Sequence, residues 1–342
     1  MMLLLAAALA LQSSPSGETT LQRLEREVAA LVDKVRPSVV QVTSVYAVAP
    51  SDARESLTFS GIVYSPEGHV VTDATGVERA FEIRVRCGER QWTARLLGSD
   101  RRTGVAVLKV DASGLTPAVF ADGCPRPGAP AVAVGNALGL WGSAAMGTIA
   151  GAGRSILVNG RRYEGMIQVA LALQPGDCGG ALADAQGRLV GILHSALGAA
   201  DAGLRDVLAA QARDGGGPAT GFAVPAEWVR FSADRIVKHG RMVRGWMGWS
   251  ARPLDAERRR KAGLDAGVGI EILRVEPDGP AGKSGILPGD VVVEFDDEPV
   301  RDLDALRWAV ARVETPRRAK LAVVRGAERR SVDVLIEIDP QR

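Results

Sequence analysis

Short runs of β-branched and other apolar residues, separated by turn residues, fill the first half of the chain. They recur about every 8–12 residues, a spacing that is typical of all-β barrels and sandwiches. The 40 glycines and 18 prolines suit many tight turns better than they suit a helical bundle. The sequence therefore predicts a mainly β fold for this part of the chain. The runs that carry the prediction are residues 39–48, 61–65, 82–87, 92–97, 105–110 and 131–135.

The chain of 342 residues has room for two domains at about 150 residues each. We predict the β domain over residues 38–228 and a linker helix over residues 229–243. Residues 197–219 lack strong periodicity and are predicted to form an inserted surface loop. Strand and helix patterns return over residues 244–338, which is enough chain for a complete small α+β domain.

The N-terminus carries two further patterns. Residues 3–11 form a short apolar run with a polar boundary at 13–16, although no Lys or Arg precedes Arg23. A run of this length resembles the apolar part of a secretory signal, so residues 1–16 are predicted to direct export from the cytoplasm. Residues 17–37 then show a helical spacing of apolar residues that ends at a proline.

Composition excludes several classes of protein. The 42 Lys and Arg residues nearly balance 40 Asp and Glu residues, so no basic face for nucleic acid is expected. Three cysteines cannot build a disulfide framework, and their spacing to His and Asp residues does not suggest a zinc site. We predict no metal and no cofactor. No apolar run approaches the ~18–20 residues of a membrane-spanning helix.

Several motifs occur in the order found in one known family. The chain resembles the HtrA (Deg) family of trypsin-like serine proteases, in which a PDZ domain follows the protease domain. The resemblance implies a chymotrypsin-like double β-barrel with six strands in each barrel, followed by a PDZ-like domain. The motifs are SGIVYSPEGHVVT at 60–72, VAVLKV at 105–110, VAVGNALGL at 132–140, GDCGGAL at 176–182, GRLVGIL at 187–193, TGFAVP at 220–225, RGWMGW at 244–249 and GPAGKSGILPGDVVVEFDDEPV at 279–300.

The resemblance locates the three catalytic positions of the family, and all three are changed here. The histidine of T-x-x-H-V corresponds to Thr75, the aspartate of D-L-A-V-L-K to Gly104, and the serine of G-N/D-S-G-G to Cys178. A cysteine alone could still act as a nucleophile. Threonine and glycine supply neither a base for the thiol nor a carboxylate to orient an imidazole. We therefore predict a catalytically degenerate member, a pseudoprotease.

Two features of this site suggest further hypotheses. Glycines around Cys178 permit a sharp turn that would aim the N–H groups of Gly176 and Cys178 at one point, as in an oxyanion hole. His194 ends a predicted strand next to the vacated positions. A non-standard dyad of Cys178 and His194 is therefore the alternative hypothesis, in which the chain is an active hydrolase.

The PDZ-like module predicts a peptide-binding site. By resemblance, the loop Trp246-Met247-Gly248-Trp249 would turn its N–H groups toward a peptide carboxylate, and the next strand would offer a free edge. Met247 and Trp249 would line a pocket for the last side chain, and Leu306 and Val310 would form its other wall. The alternative is a docking domain that packs against the barrel and binds no peptide.

Three functions compete at this point. The first is a proteolytically inactive protein that binds unfolded proteins or protein C-termini in a quality-control or regulatory role. The second is the hydrolase that uses Cys178 and His194. The third is a purely structural protein in which both domains serve assembly. The resemblance also suggests association with further copies of the chain or with active relatives.

Overall fold

The computed structural model of the protein describes residues 18–47, 54–158, 160–196, 220–261, 263–265, 267–301 and 303–339. The chain divides into two compact units, residues 1–242 and 243–342. The predicted signal segment at 1–16 and the predicted loop at 197–219 lie outside the described residues.

The first unit contains two closed barrels of six strands each. The strand order is β1-β2-β3-β6-β5-β4 in the first barrel and β10-β11-β12-β9-β8-β7 in the second. This arrangement confirms the predicted chymotrypsin-like double barrel. The strands are β1 (Val39–Ala47), β2 (Arg54–Ser65), β3 (His69–Asp73), β4 (Glu82–Cys87), β5 (Arg90–Asp100), β6 (Val105–Val110), β7 (Pro130–Gly135), β8 (Ser143–Val158), β9 (Arg161–Ala170), β10 (Ala181–Ala183), β11 (Leu189–Ala196) and β12 (Gly221–Pro225).

Strand pairing brings distant parts of the sequence to one place. Strand β3 pairs with β6 so that Asp73 lies opposite Val105, which directly follows Gly104. In β11 the register with β12 shifts between Leu193 and Ser195, which is the mark of a β-bulge at His194. Because a bulge re-aims the side chain of the extra residue, His194 is free to turn inward.

Two helices border the barrels. Helix α1 (Thr20–Val35) begins with a capping box formed by Thr19 and Gln22, and helix α2 (Ala226–His239) ends at Gly240. Both hydrogen-bonding groups of such a box satisfy N–H groups that the first helical turn leaves open.

The second helix differs from the predicted linker at 229–243. It begins at Ala226 and ends at His239, and it packs against the first unit. Ile236 is fully buried there, and the Ser232 hydroxyl donates to the Asp100 carboxylate over 2.7 Å. These contacts make the helix part of the barrel unit, because its apolar face needs the barrel surface to cover it.

The second unit is a seven-stranded antiparallel domain with three short helices among its described residues. Strands β13 and β14 form the two ends of the main path β13-β19-β18-β16-β15-β14, and β17 pairs with β16. This architecture matches the small α+β domain predicted from the sequence. The strands are β13 (Gly245–Trp246), β14 (Trp249–Pro253), β15 (Ile270–Val275), β16 (Val291–Phe295), β17 (Glu298–Pro299), β18 (Arg317–Arg325) and β19 (Glu328–Ile338), and the helices are α3 (Ala256–Lys261), α4 (Pro280–Lys283) and α5 (Leu303–Ala311). None of the helices among the described residues has both the length and the apolar character that crossing a bilayer requires.

Candidate functional site

The position of the family's catalytic histidine is a short helical turn that follows β3. Thr75 lies in this turn, Ala74–Gly76, and is exposed. Its backbone N–H donates to Asp73 Oδ1 over 2.8 Å, and its hydroxyl donates to the same oxygen. Asp73 therefore caps this turn, and Thr75 offers no group that takes up a proton near neutral pH.

The position of the family's catalytic aspartate is filled by another side chain. Gly104 has a left-handed backbone with φ of 78°, and its carbonyl accepts from the Ala74 N–H over 2.7 Å. A Cβ atom added at Gly104 would lie 2.9 Å from Cε1 of His194 and 3.1 Å from Cε1 of Tyr163. The imidazole of His194 thus occupies the space that an aspartate side chain would need.

A buried histidine–aspartate pair stands at the centre of this site. His194 is 3% exposed and Asp73 is 1% exposed. Nδ1 of His194 contacts Oδ2 of Asp73, and the ring of Tyr163 packs edge-on against the imidazole with centroids 4.3 Å apart. Nε2 of His194 is buried and has no hydrogen-bond partner among the described residues.

The thiol of Cys178 is bound to backbone and does not contact the imidazole nitrogens. Its Sγ donates to the main-chain carbonyl of His194 over 2.8 Å. Burial raises the pKa of the Cys178 thiol far above its ordinary value, and the carboxylates of Asp73 and Asp177 raise it further. Reactive cysteines have the opposite surroundings, which lower the thiol pKa.

These contacts contradict the hypothesised dyad of Cys178 and His194. Nδ1 of the imidazole is bound to Asp73, while Nε2 makes no hydrogen bond to sulfur. The physical reason is the bulge in β11, which directs the side chain of His194 toward β3 and leaves only its carbonyl facing Cys178.

The loop before Cys178 keeps the shape of a tight turn. Gly176 has φ of 100°, and a Cβ atom there would lie 2.2 Å from the Asn136 carbonyl oxygen. The Gly176 carbonyl accepts from the Ser60 hydroxyl over 2.7 Å. Within the described ranges, neither the Gly176 nor the Cys178 N–H donates a backbone hydrogen bond. An oxyanion-hole-like role for this pair stays a prediction.

Asp177 lies between these two residues and is buried. Its Oδ2 accepts from the Gln174 N–H over 2.7 Å. Burial raises the pKa of Asp177 to about 6, and the bond from Gln174 opposes this effect. The carboxyl therefore changes its charge near neutral pH, whereas an exposed aspartate does so near pH 4.

Replacing this carboxyl should stabilise the protein in a pH-dependent way. A raised pKa means that the folded state holds the proton more tightly than the unfolded state, so stability falls as the pH rises through about 6. We expect Asp177→Asn to increase the free energy of unfolding by about 1–3 kcal/mol at pH 8 and by less at pH 5. Urea unfolding at the two pH values measures this difference. Asp111→Asn, at a fully exposed carboxyl, is the control and should show no such trend. An equal effect of Asp177→Asn at both pH values would contradict the assignment.

Several residues of the predicted peptide site lie near one another in the second unit. The carbonyl groups of Met247 and Gly248 accept from Ala281 and Glu276 over 2.9 and 2.8 Å, so they face into the domain. Met247, Leu306 and Val310 share one buried cluster, and Trp249 packs against it. Because β14 is an end strand of the sheet, its outer backbone groups are open to a further strand.

No group of three or more His, Cys, Asp or Glu side chains that could hold a metal ion occurs in the described part of the chain.

Sequence reasoning identified Cys178, Gly104, Thr75 and His194 but missed Asp73 and Tyr163. One feature of the sequence could have pointed to Asp73 as a site residue, because it is a carboxylate at the end of a strand of mostly buried residues.

Two closed six-stranded barrels followed by a sheet with an open end strand define a trypsin-like peptidase fold with a PDZ domain. The trypsin-like peptidase domain family matches residues 59–192, and the PDZ domain family matches residues 245–336. The chain belongs to the HtrA family of trypsin-like serine proteases with a C-terminal PDZ domain.

Named relatives agree with this assignment. A "Probable periplasmic serine endoprotease DegP-like" of Halomonas elongata is 33% identical over 288 residues, which is 84% of this chain and 57% of the relative. "Periplasmic serine endoprotease DegP" of Escherichia coli K12 is 30% identical over 283 residues, 82% of this chain and 56% of the relative. The chain thus spans a little over half the length of these relatives. The solved structure "HtrA-type protease AlgW with tripeptide" has a TM-score of 0.77 and 30% identity, and the match covers 92% of this chain and 98% of that one.

Proposed function

We propose that this chain is a proteolytically inactive HtrA-type protein that binds polypeptides or protein C-termini through its PDZ domain. Its role would be in protein quality control or regulation. The observation that carries the proposal is the loss of all three catalytic side chains at the positions that correspond to the family's triad. The space of the catalytic aspartate holds His194, the position of the catalytic histidine holds Thr75, and the thiol of Cys178 is bound to a carbonyl.

Hydrolysis of a peptide bond requires a base for the nucleophile and an acid for the leaving amine. Thr75 can be neither, and the imidazole of His194 is hydrogen-bonded to Asp73, while Cys178 is hydrogen-bonded to the His194 carbonyl. Polarisation of a carbonyl by the N–H groups of Gly176 and Cys178 alone would leave a rate only about 10³–10⁴-fold above that in water. Such a rate supports no useful turnover.

The PDZ domain supports the binding half of the proposal. Its open end strand and its loop of N–H groups provide the two elements that hold an extended peptide by its backbone and its terminal carboxylate. Solved HtrA-type relatives are described with a tripeptide and a decapeptide. We further propose a location outside the cytoplasm, because curated relatives are named periplasmic.

An assay of proteolysis with unfolded casein as the substrate separates this proposal from the hydrolase hypothesis. We expect the purified chain to leave unfolded casein intact, since loss of a catalytic triad lowers kcat on the order of 10⁶-fold. Cys178→Ala should leave casein intact as the parent chain does. An electrophilic thiol probe at pH 7 should label the parent chain hardly faster than Cys178→Ala, because the pKa of the Cys178 thiol is raised and the exposed Cys124 is present in both proteins. An active HtrA protease serves as the positive control. Casein cleavage that disappears in Cys178→Ala would overturn the proposed inactivity.

A further inference from the structure

The end strand β14 presents two different kinds of side chain to helix α5. Trp249 and Ala251 both pack against the buried cluster that contains Leu306 and Val310. Ser250, between them, is exposed. A large ring therefore stands at the loop end of the strand, and a single methyl group stands at the next inward position.

The side chain of Trp249 is partly buried, although β14 pairs with β15 alone among the described strands. A side chain that only bordered an open pocket on such a strand would be largely exposed. Because Trp249 packs against the cluster that contains Met247 and the α5 residues Leu306 and Val310, its ring lies on the side of β14 that faces this cluster. Less volume is left there for a ligand side chain than a small aliphatic residue would leave.

The next inward position is different. Ala251 ends at its Cβ, and the partly buried Leu303 of α5 packs against the same cluster. Of the two side chains, the indole of Trp249 therefore leaves less room for a ligand side chain than the methyl group of Ala251 does.

We propose that the PDZ domain selects polypeptide C-termini that end in a small side chain, Ala, Ser or Gly, and carry a larger apolar side chain two residues earlier. This inference rests on the proposed peptide binding and adds the class of ligand to it. An added strand places alternate side chains on one face, so the last and third-from-last residues face α5. With the carboxylate at the loop, the last residue lies beside Trp249 and the third-from-last beside Ala251.

The test uses the full chain and fluorescent decapeptides with a free carboxyl terminus. One series differs only in the last residue, Ala, Val, Leu or Phe, and a second series has Ala or Leu at the third-from-last position. We expect Ala at the end to bind about 10-fold more tightly than Phe, because one or two surplus methylenes already change affinity by this much. Fluorescence anisotropy measures the dissociation constants.

Variants connect the preference to the two residues. Trp249→Val should reverse the order in the first series, so that Leu and Phe bind more tightly than Ala. Ala251→Leu should remove the advantage of Leu at the third-from-last position. Ser250→Val, on the exposed side of the same strand, is the matched control and should keep the parent order. Far-ultraviolet circular dichroism verifies that each variant is folded.

The outcomes separate the inference from the proposed function. Tight binding of the Phe peptide to the parent chain, or an unchanged order in Trp249→Val, overturns the inference and leaves peptide binding intact. If peptides with an amidated C-terminus bind as tightly as peptides with a free carboxylate, the carboxylate does not lie at the loop. The inference depends on that placement and is then overturned. Failure of every peptide to bind overturns both peptide binding and the inference.

Discussion

Restoring the three family residues, by Thr75→His, Gly104→Asp and Cys178→Ser, is expected to yield a protein that still does not cleave casein. A Cβ atom at residue 104 would lie 2.9 Å from the His194 ring. The new aspartate would therefore overpack the site and lower the free energy of unfolding by about 1–3 kcal/mol. Its left-handed backbone adds strain, although aspartate tolerates this conformation better than most residues.

Adding His194→Ser to these three changes should make cleavage measurable. The small side chain vacates the space for the new aspartate, which can then orient the new histidine. Casein hydrolysis and urea unfolding are measured for the triple and the quadruple variant. The quadruple variant with alanine at position 178 is the control and should be inactive. If the triple variant cleaves casein as fast as the quadruple one, His194 is not the obstacle that the structure indicates.

Breaking the pair of His194 and Asp73 is expected to have the largest effect on stability. Removal of one partner from a buried charged or strongly polar pair costs about 3–5 kcal/mol, because the other is left without compensation. His194→Ala should fall near the lower end of this range, since Asp73 keeps its two bonds from Thr75. The reverse change, Asp73→Ala, leaves both ring nitrogens of a buried imidazole without a described partner.

The double variant tests whether the two side chains act together. His194→Ala with Asp73→Ala should destabilise by less than the sum of the single changes, with a coupling of about 1–3 kcal/mol. His69→Ala, on the same strand β3, is the matched control, and its loss should stay below about 1 kcal/mol because it removes a partly exposed bond to Ser65. Urea unfolding is measured for the parent chain and the four variants. Strictly additive losses would show that the pair contributes no stability of its own.

Sequence reasoning located the degenerate positions but not the contacts that replaced them. The strands followed from alternation and turn residues, and the order of motifs identified both domains. The contact of His194 with Asp73 joins residues 121 positions apart and depends on a one-residue bulge in β11. No local pattern encodes the direction of a side chain at a bulge. This is why the dyad hypothesis failed. His194 was correctly expected to lie near Cys178, but its imidazole is bound to Asp73 and makes no hydrogen bond to the thiol.

The helix after the second barrel illustrates a second limit of prediction from the sequence. Periodicity indicated a helix over about residues 226–238, most of which was assigned to a linker at 229–243, and the observed helix is Ala226–His239. Its role as part of the first unit comes from Ser232 and Ile236, whose partners lie on β5 and elsewhere in the barrel. Such long-range contacts decide whether a helix connects domains or belongs to one of them.

The short length of β14 also bears on how this protein avoids aggregation. An open sheet edge can recruit another copy of the chain and seed fibrils. This strand has five residues, about 17 Å of backbone, and it terminates in Pro253, which has no N–H to donate. Arg252, beside the proline, is half-exposed and forms an ion pair with Glu271 on the neighbouring strand. The edge can therefore pair with one short extended peptide, as the proposed function requires, but gives little support to indefinite growth of the sheet.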